Sequence, residues 1–407
     1  MRTKLEKARA IKTPKLNEAL LVPSTFKFGQ VSSFTKRKKG PTPPSPSLGP
    51  LAAFTGTFTG TGFNTIFRPD SAATPTPLPI PVLGSDNVLE LNLTQETLSF
   101  SKPLGSVPNR GSFAQADAFL NGVPYLQAIS DVTIPSQPTG IHFEPGMWVI
   151  VPPTTIPAEG QTVVRMASIP HGTTVLAQGT ATTIAGKPTI PPVDISPFAI
   201  GLVPPPPPPA GRLRFASQTA ASNGTARIPQ DLTSFITAGT ITQAILDDPN
   251  KILRDHIASQ NIISTTILDI STQQPAPMFG GGTPSIAFLQ GAAPAPPPPA
   301  PNAETVLMTA TFWIETVEIV IIVPPFEVGD APMILSGDPG HPALPIPKFL
   351  VHPPIPIPRP HPIRIHMTQI QYSQTVFLNF APLTWPHVSV ATLVPTDPIP
   401  IPPAAWT

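Results

Sequence analysis

Gln371-Tyr-Ser-Gln-Thr-Val-Phe-Leu-Asn-Phe380, followed two residues later by Leu383-Thr-Trp-Pro-His-Val-Ser-Val-Ala-Thr-Leu-Val-Pro395, decides the fold class. At a strand's period of two, Tyr372, Gln374, Val376, Leu378 and Phe380 share one face, with Ser373, Thr375, Phe377 and Asn379 on the other. His387 follows a proline at the head of the next alternating stretch, where its imidazole could point into a barrel.

Outward from there, the chain from Leu51 on is rich in Thr, Val, Ile and Phe, with turn residues between short runs. Strand candidates are 53–60, 63–68, 88–100, 122–133, 141–151, 161–170, 173–183, 262–271, 305–323, 363–380 and 387–394. A meander of this many strands must dispose of its edges, and closure into a barrel is the usual solution. The expected fold is therefore mainly β, an antiparallel β-barrel. Helical signal is confined to Pro229–Gly239 and Thr240–His256, which predicts two short helices.

The 63 prolines cluster in 41–50, 75–81, 204–209, 294–301, 342–362 and 398–403, which read as linkers or edge crossings. The organisation that follows is an arm over 1–50, the first part of the barrel over 51–187, and a Pro-rich insertion with the two helices over 188–303. Closing barrel strands then occupy 304–396, with a Pro-rich tail over 397–407.

Residues 1–39 carry eleven lysines and arginines against Glu6 and Glu18, a net of +9, which leaves −8 for the rest. Such an arm is either a solvated tail or a targeting, cargo-loading or polyanion-binding segment. It lacks the apolar run of a secretory signal. No stretch approaches the roughly 18 apolar residues of a membrane-spanning helix. Val317-Glu-Ile-Val-Ile-Ile-Val323 carries Glu318 and reads as a buried strand. A soluble, cytoplasmic protein without a nucleic-acid partner is expected. Cysteine is absent, which excludes disulfides, iron–sulfur clusters and thiolate chemistry. Gly-x-Ser-x-Gly and His-Glu-x-x-His are absent too, so neither hydrolase class has support.

Five segments, in order, resemble the nitrobindin family of heme-binding β-barrels. Phe58-Thr-Gly-Thr-Gly-Phe63 looks like its Gly-x-Gly strand start, although the preceding Gly-x-Trp reads Gly56-Thr-Phe58 here. Asn121-Gly-Val-Pro-Tyr-Leu126 is similar to its Gly-x-Pro-Phe/Tyr-Leu hairpin, and Ile141-His-Phe-Glu-Pro-Gly146 to its His-x-Glu-x-Gly strand. Met166 to Gly179, with Pro170-His-Gly172 at its centre, looks like a family hairpin. Trp385-Pro-His-Val-Ser-Val-Ala-Thr-Leu393 resembles the Pro-His-Leu-x-Ala-Thr-Leu strand. The likeness covers about half the chain, 51–183 and 305–395, and implies a calycin/nitrobindin-like barrel. The family's last strand continues into basic residues where this chain has Val394-Pro395-Thr396.

The resemblance implies heme b, with His387 as the metal ligand. His171, His142 and Thr61 are further candidates on the cofactor side. Beside it, residue chemistry says that neutral imidazole is a good iron ligand, and that without cysteine the axial choices are His, Tyr or Met. His171 lies in a turn that could lean over the barrel mouth as a catalytic acid/base, or equally stand exposed. His142 and Glu144 share a face, as a pair supporting the ligand or as a buried polar pair between strands. His341, His352, His361 and His366 read as solvated loop residues. The ligands implied are nitric oxide, peroxynitrite or peroxide. Peroxynitrite isomerase and peroxidase-like activity both stay open. The competing readings are a heme-free barrel carrying an apolar ligand, and a structural or assembly protein.

Overall fold

Ten strands follow one another around a closed barrel, each hydrogen-bonded antiparallel to its predecessor. The computed structural model describes residues 45–111, 116–156, 158–202, 210–273 and 302–406. The basic arm, Phe279-Gly-Gly-Gly-Thr283 and the whole 294–301 proline run lie outside the described residues.

The strands are β1 Gly56–Pro69, β2 Asn87–Phe100, β3 Ala118–Asp131, β4 Thr139–Val151 and β5 Thr162–Ser168. They continue with β6 Thr174–Ala185, β7 Asn261–Ser271, β8 Glu304–Val323, β9 His361–Phe380 and β10 Leu383–Pro395. The β10–β1 pairing closes the ring, so no edge is left unpaired.

β1 runs unbroken through the two short runs expected separately, and Gly60 and Gly62 explain how. Gly60 lies opposite Leu393 and Gly62 opposite Ala391. A Cβ at either would collide with the carbonyl of Thr392 or Val390. The Gly-x-Gly segment is therefore a place of close approach at the closing seam. Asn121 to Leu126 lies inside the single strand β3 rather than in a hairpin.

Alternation sorts the side chains. Phe58, Leu98, Phe100, Tyr125, Trp148, Phe312, Tyr372 and Leu393 form one apolar cluster, the barrel interior. One end is plugged by the chain entering β1. Leu51 and Phe54 are buried there, and the Phe54 ring stacks on Phe100 at 4.5 Å and tilts against Trp148 at 5.5 Å.

A second cluster covers part of the outer wall, where Phe63, Leu89, Val388, Val390 and Val394 pack against an insertion. That insertion is 186–260 and not 188–303, because β7 pairs with β6 and β8 as a full barrel strand. Its described residues hold three short α-helices instead of two: α1 Thr233–Ala238, α2 Gln243–Asp247 and α3 Lys251–Ile257. Pro249 divides the second expected helix, since it cannot donate into a helical ladder. Gly239, at φ 74°, ends α1.

Regular structure is sparse in the insertion, and a buried arginine organises it. The Arg227 guanidinium donates to the carbonyls of Ser217, Thr219, Ala220, Ser222, Pro229 and Gln230. A guanidinium with five N–H groups can satisfy a coil of inward-facing carbonyls that would otherwise be orphaned. Burial pushes its pKa down to about 10, so it stays charged at neutral pH.

No helix among the described residues is long and apolar enough to cross a membrane. Val317–Val323 is the far half of β8, paired with His361–Met367 of β9.

Candidate functional site

At the end opposite the aromatic plug, the interior turns polar. His387 near the start of β10, His142 near the start of β4 and His171 in the β5–β6 turn meet there. Their sequence positions are far apart; closure of the barrel brings them together. The rings of His142 and His171 stand edge to face, with centroids 5.3 Å apart. Both imidazoles act electrostatically on His387.

His387 sits across from Val376 of β9, with its Nε2 2.7 Å from Nδ2 of Asn64. The Asn64 amide also donates to Ser389 Oγ at 2.8 Å, and its Oδ1 accepts from Asn92 at 3.3 Å. With the amide so oriented, Asn64 is the donor and Nε2 carries the lone pair, which assigns the ring proton to Nδ1. Burial first, then the neighbouring His142 and His171, push the His387 pKa down to about 4. The ring is neutral at physiological pH, the form that ligates metal. Burial and His142 also lower the pKa of His171.

Beneath the rim lies an ion pair. Glu144, fully buried, accepts from Arg165 Nη2 at 2.6 Å, from His142 Nε2 at 3.1 Å and from the Tyr125 hydroxyl. Arg165 also donates to Tyr125 Oη at 2.8 Å and to Gln374 Oε1 at 2.6 Å. Its guanidinium lies 5.3 Å from the Phe312 ring centre. Burial alone would raise the Glu144 pKa, but Arg165, with His142 and Tyr125, holds it down to about 2. Gly146 makes this layer possible, because a Cβ there would meet the Tyr125 phenol at 2.5 Å. A second carboxylate, Glu96, accepts from Tyr372 Oη at 2.6 Å and from Gln127 at 3.3 Å. Burial raises its pKa in spite of those bonds.

Thr61 does not join the histidines. It faces outward, opposite in parity to Gly60 and Gly62, and its hydroxyl donates to the Ala343 carbonyl at 3.0 Å. It is a sequence candidate for the cofactor side, but its strand phase turns it away. Among the other histidines, His366 lies 3.8 Å from Glu318, and the His341 ring tilts against that of His256 with centroids 4.7 Å apart. His256, which the sequence reading did not single out, is buried and bonds Thr392 Oγ1 at 2.9 Å. Asn64, Arg165 and Glu96 were missed as well. Their signal is a strongly polar side chain at the inward parity of an otherwise apolar strand, as in Val163-Val-Arg-Met166.

Among the described residues no three His, Asp or Glu side chains are disposed to hold a metal ion. The rim therefore offers single rings as ligands rather than a chelate. No family model, no curated protein and no solved structure matches this chain. The nitrobindin likeness rests on the five sequence segments alone.

Proposed function

We propose that the histidine rim binds heme b, with His387 Nε2 as the iron ligand. The observation that carries this reading is the convergence at one barrel end of His142, His171 and His387, the last neutral and with its lone pair facing inward. A single well-presented imidazole suits an iron whose equatorial ligands come from a porphyrin; it would hold a bare cation poorly.

The fit has a clear limit. Arg165, Tyr125, Trp148 and Phe312 fill the barrel below the rim, so the group belongs at the mouth. Asn64 must also release Nε2 for ligation. Its amide keeps Ser389 and Asn92 as partners when it does.

Heme iron supplies a Lewis-acidic centre for small ligands such as nitric oxide, peroxynitrite or peroxide. The chain's own residues do the rest. Glu144 accepts from His142 and fixes that ring, while Arg165 keeps Glu144 ionised. His171 stands against His142 at the turn, uncharged near neutrality and placed to accept a proton from a ligand at the mouth. The ion-paired, side-chain-filled middle of the barrel supports this reading over carriage of an apolar ligand in the interior.

Hemin titration tests it. The full chain is expected to give a saturable Soret band at one equivalent, absent from His387→Ala and retained, with altered shape, in His171→Ala. No band with the wild type, or a band that survives His387→Ala and disappears with His171→Ala, would overturn the assignment.

A further inference from the structure

Between the insertion and the outer wall of the barrel lies a second cleft of about 280 Å³, remote in character from the histidine rim. Its wall is a grid of hydroxyls on two adjacent strands. Thr309 lies opposite Thr375 and Thr311 opposite Ser373, all projecting from the outer face of β8 and β9. Asp269 of β7 borders the grid and accepts from the Thr311 hydroxyl at 2.7 Å through one carboxylate oxygen. Trp313, 2% exposed, lies at the base of the grid, and Pro191-Pro192-Val193 of the insertion closes the other side.

The insertion side is fixed before any ligand arrives. Val193 N–H donates to Asp248 at 2.9 Å, Asn250 Nδ2 to the Pro191 carbonyl at 2.8 Å and Arg254 to the Ile190 carbonyl at 3.2 Å. That scaffold leaves one group unanswered. Asn250 is 3% exposed and lines the cleft, and its Oδ1 has no donor among the described residues. A buried acceptor without a partner costs free energy that a ligand hydroxyl would recover.

We propose that this cleft binds a saccharide. The lining contains no lysine or arginine and does contain Asp269, which disfavours phosphate and other anions. One carboxylate without a histidine makes a poor cation cage. A hydrocarbon would strand Asn250 and the hydroxyls without partners. A sugar ring meets these requirements: its hydroxyls both donate and accept, matching the Thr, Ser, Asp and Asn groups, and its C–H face suits the exposed Pro191 and Pro192 rings. The volume suits one ring.

The test is calorimetric titration of the full chain with D-glucose, D-galactose, D-mannose and N-acetyl-D-glucosamine, followed in parallel by tryptophan fluorescence. Saturable binding of at least one sugar is expected, weakened about tenfold by Asp269→Ala and by Ser373→Ala, the loss of one good hydrogen bond each. Both positions lie outside the buried core, and thermal melts confirm that the variants fold. His387→Ala is expected to leave sugar binding unchanged, which separates this site from the rim. Absence of saturable binding for all four sugars, or affinities unmoved by both substitutions, overturns the proposal.

Discussion

His387 owes its ligand-competent state to where β10 places it. Burial and two neighbouring imidazoles hold its pKa near 4, against an ordinary 6.5. The sign of the consequence is definite. Between pH 5 and 8 the ring has no proton to lose when it ligates iron, so hemin affinity should carry no His387 titration in that range. Affinity should fall about tenfold per pH unit only below about 4. Hemin titrations across pH check this; a loss centred near 6.5 would mean an exposed, ordinary histidine. The depressed pKa also lowers protein stability on acidification. From about pH 6.5 down to about 4 the unfolded chain binds a proton that native His387 refuses, and native His256, also near 4, refuses another.

At the scale of elements, Glu144 of β4 and Arg165 of β5, with Tyr125 of β3 and Gln374 of β9, tie four strands across the barrel lumen. Removing one partner of such a pair leaves a buried, uncompensated charge. Arg165→Met should therefore cost about 3–5 kcal/mol of stability. Adding Glu144→Gln should recover a large part of that loss, as read by urea unfolding. A single variant as stable as the wild type would show that the pair is solvated. The strands themselves were legible in the sequence, because period-two alternation survives in β8, β9 and β10 and turn residues separate them. Glycines at inward-facing strand positions hid the continuity of β1. Pro249 was legible as an interruption but not as the boundary between two separate helices, and β7 was legible as the strand 262–271 but its proline-rich neighbours placed it in the insertion. The histidines could be named from the sequence, but not their meeting. His142, His171 and His387 come together only because ten strands close, and no local pattern encodes closure. Thr61 failed for the opposite reason, since its motif was readable while its strand phase was not.

For the whole molecule, the seam between barrel and insertion is where two bodies of structure are held together, and it contains a carboxylic acid. Glu315 on the outer face of β8 is fully buried; it accepts from Gln369 at 2.7 Å, and Gln369 exchanges two bonds of 2.9 Å with Gln260 at the end of the insertion. Burial, only partly offset by Gln369 and Lys187, raises its pKa to about 8. Its folded pKa lies above its unfolded one, so its contribution is fully present below about pH 4.5 and is lost as pH rises through about 8. Glu315→Gln, which keeps the shape without the charge, should raise the melting temperature at pH 9 relative to wild type and leave it little changed at pH 5. Equal shifts at both values would contradict a protonated Glu315. Barrel, plug and insertion together present one polar rim, and the central claim is that His387 is its iron ligand. The most direct measurement is rescue of His387→Gly by free imidazole, with hemin bound and the Soret band recorded. The expected result is a wild-type band, its loss in the variant, and its return as imidazole enters the vacated place. A variant that keeps the wild-type band without imidazole, or a wild type that never forms one, would contradict the account.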